Sequence, residues 1–338
     1  MYCRIKIHLL NIVAIFVLSY SCGPIEEYHY DYTPTMVSAD HILNDDSEYI
    51  IVIGDTQIYT SFGPTYYYYY ASTMDWIWSQ VKHGKNIQCV LHVGDITDNN
   101  LPQQYDVFWD MTAPTAELIP YIACTGNHDY DWDANGKIVS RYSSRLSQYV
   151  SFPTTESKIV SRFEAGYMDN IVVENYINGE RYDIISLEFG PRVEVVEWAK
   201  QHVQAYPDIK FILLTHEYLS FENIRISQDS HAHMHFVNTN TTYSTPEQLW
   251  ENLIQYSNNV VCVICGHNGF TGNLYSKNVY DRNVVQSMFN LQFQSNGGDG
   301  WIQIWEFPKS KDVAKVITYN IFSRKENTYS SFEFKYKY

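Results

Sequence analysis

Short, continuous apolar runs rich in β-branched residues recur along the chain, and most of those in the first three quarters end in a polar cluster. They lie at residues 49–53, 89–93, 119–124, 171–173, 182–187, 210–214, 260–265 and 283–288. A strand exposed on one face alternates apolar and polar residues, so unbroken runs of this kind suit strands buried on both faces. Amphipathic helical stretches at 72–81, 103–118, 192–202 and 246–256 fall between several of the runs. Alternating strand and helix predict an α/β protein. The tail (301–332) reads instead as β-rich, with strands at 301–305 and 313–319 either side of the turn-like Pro308-Lys309-Ser310-Lys311. No internal repeat is visible, and no Pro/Gly linker divides residues 48–338.

The polar clusters carry the chemistry. Gly54-Asp55-Thr56-Gln57 follows the first run, Gly94-Asp95-Ile96-Thr97-Asp98 the second, and Gly126-Asn127-His128-Asp129 the third. Thr215-His216-Glu217 and Gly266-His267-Asn268 follow later ones. In an open α/β sheet, functional groups gather beyond the carboxyl ends of the strands. Carboxylate and amide oxygens together with imidazole nitrogens suit Mn, Fe or Zn better than a structural thiolate site. Any single cluster is ordinary turn chemistry, since Gly-Asp and Gly-Asn favour turns. An ordered series, each member after a buried strand, points to a metal centre.

The series Gly-Asp-x-x, Gly-Asp-x-x-Asp, Gly-Asn-His-Asp, His and Gly-His resembles the calcineurin-like metallophosphoesterases over residues 51–268. The resemblance implies a four-layer α/β/β/α sandwich of two mixed sheets, with the metal site at the carboxyl ends of the strands and the β-rich tail completing one sheet. It implies that Asp95 bridges two divalent ions, that Asp55 binds the first, and that Asn127, His216 and His267 bind the second. One carboxylate shared between two cations holds them about 3.5–4 Å apart, a pair able to clamp both the attacking and the leaving oxygen of a phosphate. Water on such ions ionises near neutral pH, so the expected reaction is hydrolysis of a phosphate mono- or diester by metal-bound hydroxide. His128 is expected to stabilise phosphoryl oxygens or protonate the leaving group, oriented by Asp129. Asp98 is expected to hold a ligand loop or a ligand imidazole in place.

Two positions depart from the family pattern. Gln57 stands where Asp-x-His is usual, and Gly269 stands where the second histidine of Gly-His-x-His is usual. Both losses fall on the first ion, which keeps Asp55, Asp95 and the side-chain oxygen of Gln57. A site without imidazole favours harder cations over Zn. The expectation is therefore two divalent ions, Mn, Fe or Zn, one held tightly and the first weakly. Secreted members of the family with Asp-Thr-Gln at the first motif look similar, so Gln57 also reads as a subgroup trait.

Several features admit two readings. His231-Ala232-His233-Met234-His235 is either a solvated loop or a source of a replacement imidazole over the site. Arg192 either meets an anionic substrate or simply opens a helix after Pro191. Tyr66 to Tyr70 either wall the cleft or pack under it, and Ser295-Asn296-Gly297-Gly298-Asp299-Gly300 reads as a hairpin turn that could border the site. Cys262-Val263-Ile264-Cys265 has zinc-like spacing but lacks a second pair, and strand alternation points its sulfurs to opposite faces, so buried free thiols are expected.

The start of the chain reads as a leader. Arg4 and Lys6 precede an apolar stretch at 7–18 that is too short to span a membrane comfortably. Ser19-Tyr20-Ser21-Cys22 then resembles a lipobox, an ordinary cleaved signal being the alternative. The expected organisation is a lipoprotein signal peptide at 1–22 with Cys22 lipidated, a tether at 23–47 and a phosphoesterase domain at 48–338. That gives a cell-envelope address and a membrane partner through the lipid anchor. A formal net charge of −15 argues against a nucleic-acid duplex as partner. Phosphorylated small molecules, nucleotides, lipids and glycans remain as substrates. The rival reading is a non-catalytic or weakly active envelope protein that binds a phosphorylated glycan or a partner.

Overall fold

A computed structural model describes residues 31–227, 235 and 242–338. The expected leader with Cys22, and also His231 and His233, lie outside the described residues. Strands β1 (Ser47–Ile53), β2 (Ile87–His92) and β3 (Tyr121–Ala123) come first, followed by β4 (Ile159–Arg162), β5 (Ile171–Val173), β6 (Tyr176–Ile177) and β7 (Glu180–Ser186). Then come β8 (Lys210–Leu214), β9 (Val260–Cys265), β10 (Thr271–Lys277) and β11 (Asn283–Phe289). The tail supplies β12 (Trp301–Pro308), β13 (Val313–Asn320), β14 (Lys325–Glu326) and β15 (Phe332–Lys335).

These strands form two mixed sheets. The first runs β14-β13-β12-β1-β2-β3 with β15 on β13, and the second β10-β11-β9-β8-β7-β5-β4 with β6 on β7. Within the first sheet β1, β2 and β3 are mutually parallel, while β12 pairs antiparallel to β1. Within the second, β7, β8, β9 and β11 are parallel. Parallel strands bring their carboxyl ends to the same edge, which is why the polar clusters can meet.

Strand alternation sorts the apolar residues into layers. Ile184, Ile212, Leu214 and Ile264 face the first sheet and share one core with Ile51, Leu91 and Ile304. Their neighbours Ile185, Phe211, Leu213 and Val263 face the other way, onto Val195, Ala199 and Val203 of helix Val193–Ala205 and onto Trp250 and Leu253. The outer face of the first sheet is covered by helices α1 (Gln57–Ser61), α2 (Pro64–Lys82) and α3 (Pro102–Ala116), through Tyr70, Met74, Phe108 and Met111. The fold is thus α/β with two mixed sheets, as the sequence leads one to expect.

Local departures have local causes. Helix α2 begins at Pro64 rather than at 72, because proline is tolerated in the first turn and Tyr67 and Tyr70 both find buried positions there. Tyr70 packs inside, its hydroxyl 2.7 Å from Thr112 Oγ1 and 3.2 Å from Tyr121 Oη, so the tyrosine run is mainly packing. Strands β4, β10 and β15 escape the hydrophobic pattern because each lies at a sheet margin and is only partly buried. The loop at 295–300 is not a hairpin: it carries the chain from β11 of one sheet to β12 of the other.

The described part of the expected tether, residues 31–47, is held against the domain. Tyr32 Oη donates to Asp75 Oδ1 at 2.6 Å, and Asp40 accepts from Trp76 Nε1 (3.0 Å) and Tyr319 Oη (2.7 Å). Burial works against the Asp40 charge, but these donors outweigh it and hold the carboxyl below its usual range. No described helix is long and apolar enough to cross a membrane.

Candidate metal centre

Each sheet sends side chains to one seam. The first contributes Asp55 after β1, Asp95 after β2 and Asn127 with His128 after β3. The second contributes His216 after β8, His267 after β9, and Asn290 with Gln292 after β11. The turns that deliver them are tight. Asp95 and His267 sit at φ +49° and +68°, a left-handed region that non-glycine residues rarely occupy and that clusters at functional sites. A Cβ on Gly126 would collide with Asp95 Oδ1, so only glycine lets the β3 loop pass the carboxylate.

Asp95, His216 and His267 each offer a ligand atom, and the three atoms lie within 4.8 Å of one another. His216 Nδ1 is 2.7 Å from the Val93 carbonyl, which can only accept, so Nδ1 carries a proton and Nε2 faces inward. Around that Nε2 stand Asp95 Oδ2 at 3.3 Å, Asn127 Oδ1 at 3.2 Å and His267 Nδ1 at 3.0 Å. A carboxylate, an amide oxygen and two imidazoles gather on one buried point. Burial opposes a charge on His216, but Asp95 outweighs it and pushes the imidazole up to about 10. The pocket therefore favours positive charge, and its donor set fits a borderline divalent cation. The Asp95 carboxyl is held well below its usual range, burial opposing and the imidazoles of His216 and His128 prevailing. Behind His267, Glu217 Oε1 lies 3.9 Å from Nε2 and adds a buried carboxylate on the far side of the ring.

Around Asp55 the surroundings differ. Asn290 Nδ2 donates to Asp55 Oδ2 and, at 3.1 Å, to the His267 carbonyl, while Asn290 Oδ1 accepts from Gln292 N at 3.0 Å. Gln292 Nε2 donates to the same Asp55 oxygen at 3.1 Å, and Gln57 Nε2 donates to Gln292 Oε1 at 2.7 Å. The other oxygen, Oδ1, accepts from His267 N at 3.3 Å. Gln57 Oε1 is left buried with no hydrogen-bond partner. Burial first, and the neighbouring Asp95 charge, raise the Asp55 carboxyl well above its usual range despite His216. At Gly269, where the family places a histidine, a Cβ would collide with the Phe293 ring. The polar end of β11 has the same form as the other strand ends, an apolar parallel strand followed by Asn-x-Gln, yet only the strand itself was legible as an element. His92 was missed too: it accepts from Gly94 N at 3.2 Å, and its other ring nitrogen is 3.0 Å from Thr56 Oγ1, tying the two aspartate loops together.

His128 Nδ1 lies 2.8 Å from the Asp98 carbonyl and 3.5 Å from the Asp98 carboxylate. Asp129, expected to orient His128, instead accepts from Gly126 N (2.9 Å), Thr97 N (3.0 Å) and Ile96 N (3.2 Å), so its oxygens are used in fixing the loop that presents Asp95. Those donors oppose the burial and the Asp95 charge that push Asp129 up to about 6. The His128 backbone N–H in turn donates to Asp95 Oδ1 at 2.9 Å. An open cleft of about 500 Å³ is lined by Asp98, Asn99, His128, Asp131 and Trp132. His235 meets Trp132 edge-on at 4.5 Å between ring centroids, and Phe189 lies 5.8–5.9 Å from the His216 and His267 rings. Arg192 does not face the cleft: it is buried against Glu188 (2.8 Å) and Glu164 (3.1 Å). Cys262 and Cys265 are buried free thiols.

A family model described as calcineurin-like phosphoesterase matches residues 49–269. An uncharacterised protein of Bacillus subtilis (strain 168), YvnB, is 24% identical over 290 residues, which is 82% of this chain and 20% of that protein. An Arabidopsis thaliana protein described as probable inactive purple acid phosphatase 27 is 42% identical over 57 residues, 17% of this chain and 9% of its own length. The chain thus spans no more than a fifth of these relatives. Among solved structures, a 5'-nucleotidase precursor from Thermus thermophilus aligns with a TM-score of 0.43 and 14% identity, covering 86% of this chain and 54% of that one.

Proposed function

The chain belongs to the calcineurin-like phosphoesterase family, and from that premise we propose that it hydrolyses a phosphate mono- or diester with a divalent cation held at the seam between the sheets. The observation that carries this reading is the convergence of Asp95 Oδ2, Asn127 Oδ1 and His267 Nδ1 on His216 Nε2. Asp95, Asn127, His216 and His267 would hold this cation; Asp55 and Gln57, expected from the sequence to hold a second, are instead bonded to the amides of Asn290 and Gln292. A cation there supplies Lewis acidity toward a phosphoryl oxygen and lowers the pKa of a water molecule it binds.

The chain's own residues divide the remaining work. Because the Asp98 carbonyl can only accept, His128 Nδ1 carries a proton and Nε2 is the nitrogen free to exchange one. A protonated Nε2 can neutralise charge on a phosphoryl oxygen or deliver its proton to the departing alkoxide. Asp129 keeps the Asp95 turn rigid. Trp132 and His128 line the cleft in which an organic group could lie.

The test is turnover of p-nitrophenyl phosphate and its bis ester by the chain from residue 31 onward, loaded with Mn or Zn, against Asp95→Ala and His216→Ala. Loss of metal-dependent turnover in both variants is expected. No turnover with any metal would overturn the proposal. The rival, a binding protein on the same fold, is favoured by the amides packed on Asp55 and would then stand. An envelope location with Cys22 lipidated belongs to the same proposal, and metabolic labelling with palmitate, lost in Cys22→Ser, tests it.

A further inference from the structure

The family's first cation site is not merely short of ligands: other groups are already bonded to what is left of it. Asp55 Oδ2 accepts from both Asn290 Nδ2 and Gln292 Nε2. Asn290 cannot turn its oxygen toward that position without loss. Its Oδ1 is taken by Gln292 N at 3.0 Å, and its second amide hydrogen by the His267 carbonyl at 3.1 Å, so a flip would face acceptor with acceptor and donor with donor. Gln292 is held from its other end by Gln57 Nε2 at 2.7 Å. The four side chains are all buried. Amide N–H groups are positive ends of dipoles, and two of them on one carboxylate oxygen supply part of the stabilisation a cation would give. A cation at Asp55 must therefore first displace two hydrogen bonds, and it finds one uncommitted oxygen, Gln57 Oε1.

We propose that Asn290, Gln292 and Gln57 form an amide clamp that replaces the first cation, leaving a centre that loads with one ion per chain on Asp95, Asn127, His216 and His267. This rests on the metallophosphoesterase reading of the site and adds to it a one-ion chemistry. In such a centre Asp55 is a structural carboxylate: through His267 N at 3.3 Å and the Asn290 bond to the His267 carbonyl, it fixes the left-handed backbone of His267. Asn290 and Gln292 are thus positioning residues for a ligand, not ligands themselves.

Metal binding tests this without reference to turnover. Equilibrium dialysis against Mn, followed by metal analysis, is expected to give one ion per chain, and electron paramagnetic resonance an isolated-ion spectrum. Asn290→Asp is nearly isosteric, removes both amide donors and sets a second carboxylate beside Asp55, so it is expected to take up a second ion at least tenfold more tightly than the parent and to show exchange coupling. Asn290→Ala with Gln292→Ala checks the same point by opening the clamp. If either variant fails to fold, the parent's stoichiometry and spectrum still decide. Two ions of comparable affinity in the parent, with a coupled spectrum, would overturn the clamp while leaving the hydrolase reading intact. One ion with no hydrolysis would leave the clamp standing and overturn the hydrolase reading. A folded, clamp-free variant that gains no second ion would also overturn the clamp.

Discussion

His128 and Asp98 are joined twice, through the Asp98 carbonyl at 2.8 Å and its carboxylate at 3.5 Å, and both contacts fall on the same ring nitrogen. The ring is thereby fixed with Nε2 as its exchanging atom, and the identity of that partner determines which substitutions will be felt.

If Nε2 gives its proton to the leaving group, the cost of losing His128 depends on how badly that group needs one. His128→Ala is expected to slow hydrolysis of an alkyl phosphate by about 10²–10⁴-fold, the usual range for an acid or base catalyst, and of p-nitrophenyl phosphate by far less. Rates across leaving groups of graded basicity check it; an equal loss on all of them argues for phosphoryl contact alone.

Asp129→Asn should damage the fold of the loop rather than the proton transfer. The amide would turn an NH₂ toward backbone N–H groups that now have an acceptor, at a cost of about 1–3 kcal/mol. A lower melting temperature is expected, with the pH profile of the surviving activity unshifted. A shifted profile at unchanged stability would restore Asp129 as the partner of His128.

Arg192→Ala is a stability variant. Glu188 is 1% exposed, and removing the Arg192 guanidinium takes its 2.8 Å partner and leaves only Arg141 at 3.7 Å, a loss of about 1–3 kcal/mol. Urea unfolding measures it, and the KM of the folded fraction is expected to stay unchanged. A raised KM without destabilisation would put Arg192 at the substrate.

Asp169 gives the pH dependence a definite sign. Its side chain is buried, Oδ1 has no hydrogen-bond partner, and burial, with the Glu188 charge behind it, pushes the carboxyl up to about 8. An aspartate in an unfolded chain ionises at about pH 3.9. The folded chain therefore holds this proton more tightly, and the stability it contributes is full below about pH 4 and is lost as pH rises through about 8. Asp169→Asn abolishes the effect, so its melting temperature relative to the parent should climb between about pH 5 and pH 8.5. A difference that stays flat over that interval would mean the carboxyl is not protonated.

The sequence made the layers legible because β-branched runs and their polar ends are local signals. β1, β2, β8 and β9 each announce both a strand and the polar cluster that follows it, and the family resemblance then singles out Asp55, Asp95, His216 and His267 within those clusters. Asp129 turns to other partners than His128, since adjacency in sequence says nothing about where a carboxylate points. Its oxygens were claimed by N–H groups some thirty positions earlier. Asn290 and Gln292 escaped for a different reason: amides after a strand look like turn residues, and only the arrival of β11 beside β9 brings them to Asp55. The strap around Asp40 was hidden likewise, since its partners Trp76 and Tyr319 lie far along the chain.

Asp55, Asp95 and Asn127 hang from one sheet and His216 and His267 from the other, so whatever binds among them fastens two halves of a sandwich. A ligand that binds only the assembled state adds RT ln(1 + [L]/Kd), about 2.7 kcal/mol at a hundred times Kd. Chelation is then expected to lower the melting temperature as well as the rate, and calorimetry with and without EDTA reads it directly. For a chain on its way to the folded state, the ion is then a rivet driven in last, tightening a joint that the apolar core shared by the two sheets has already made.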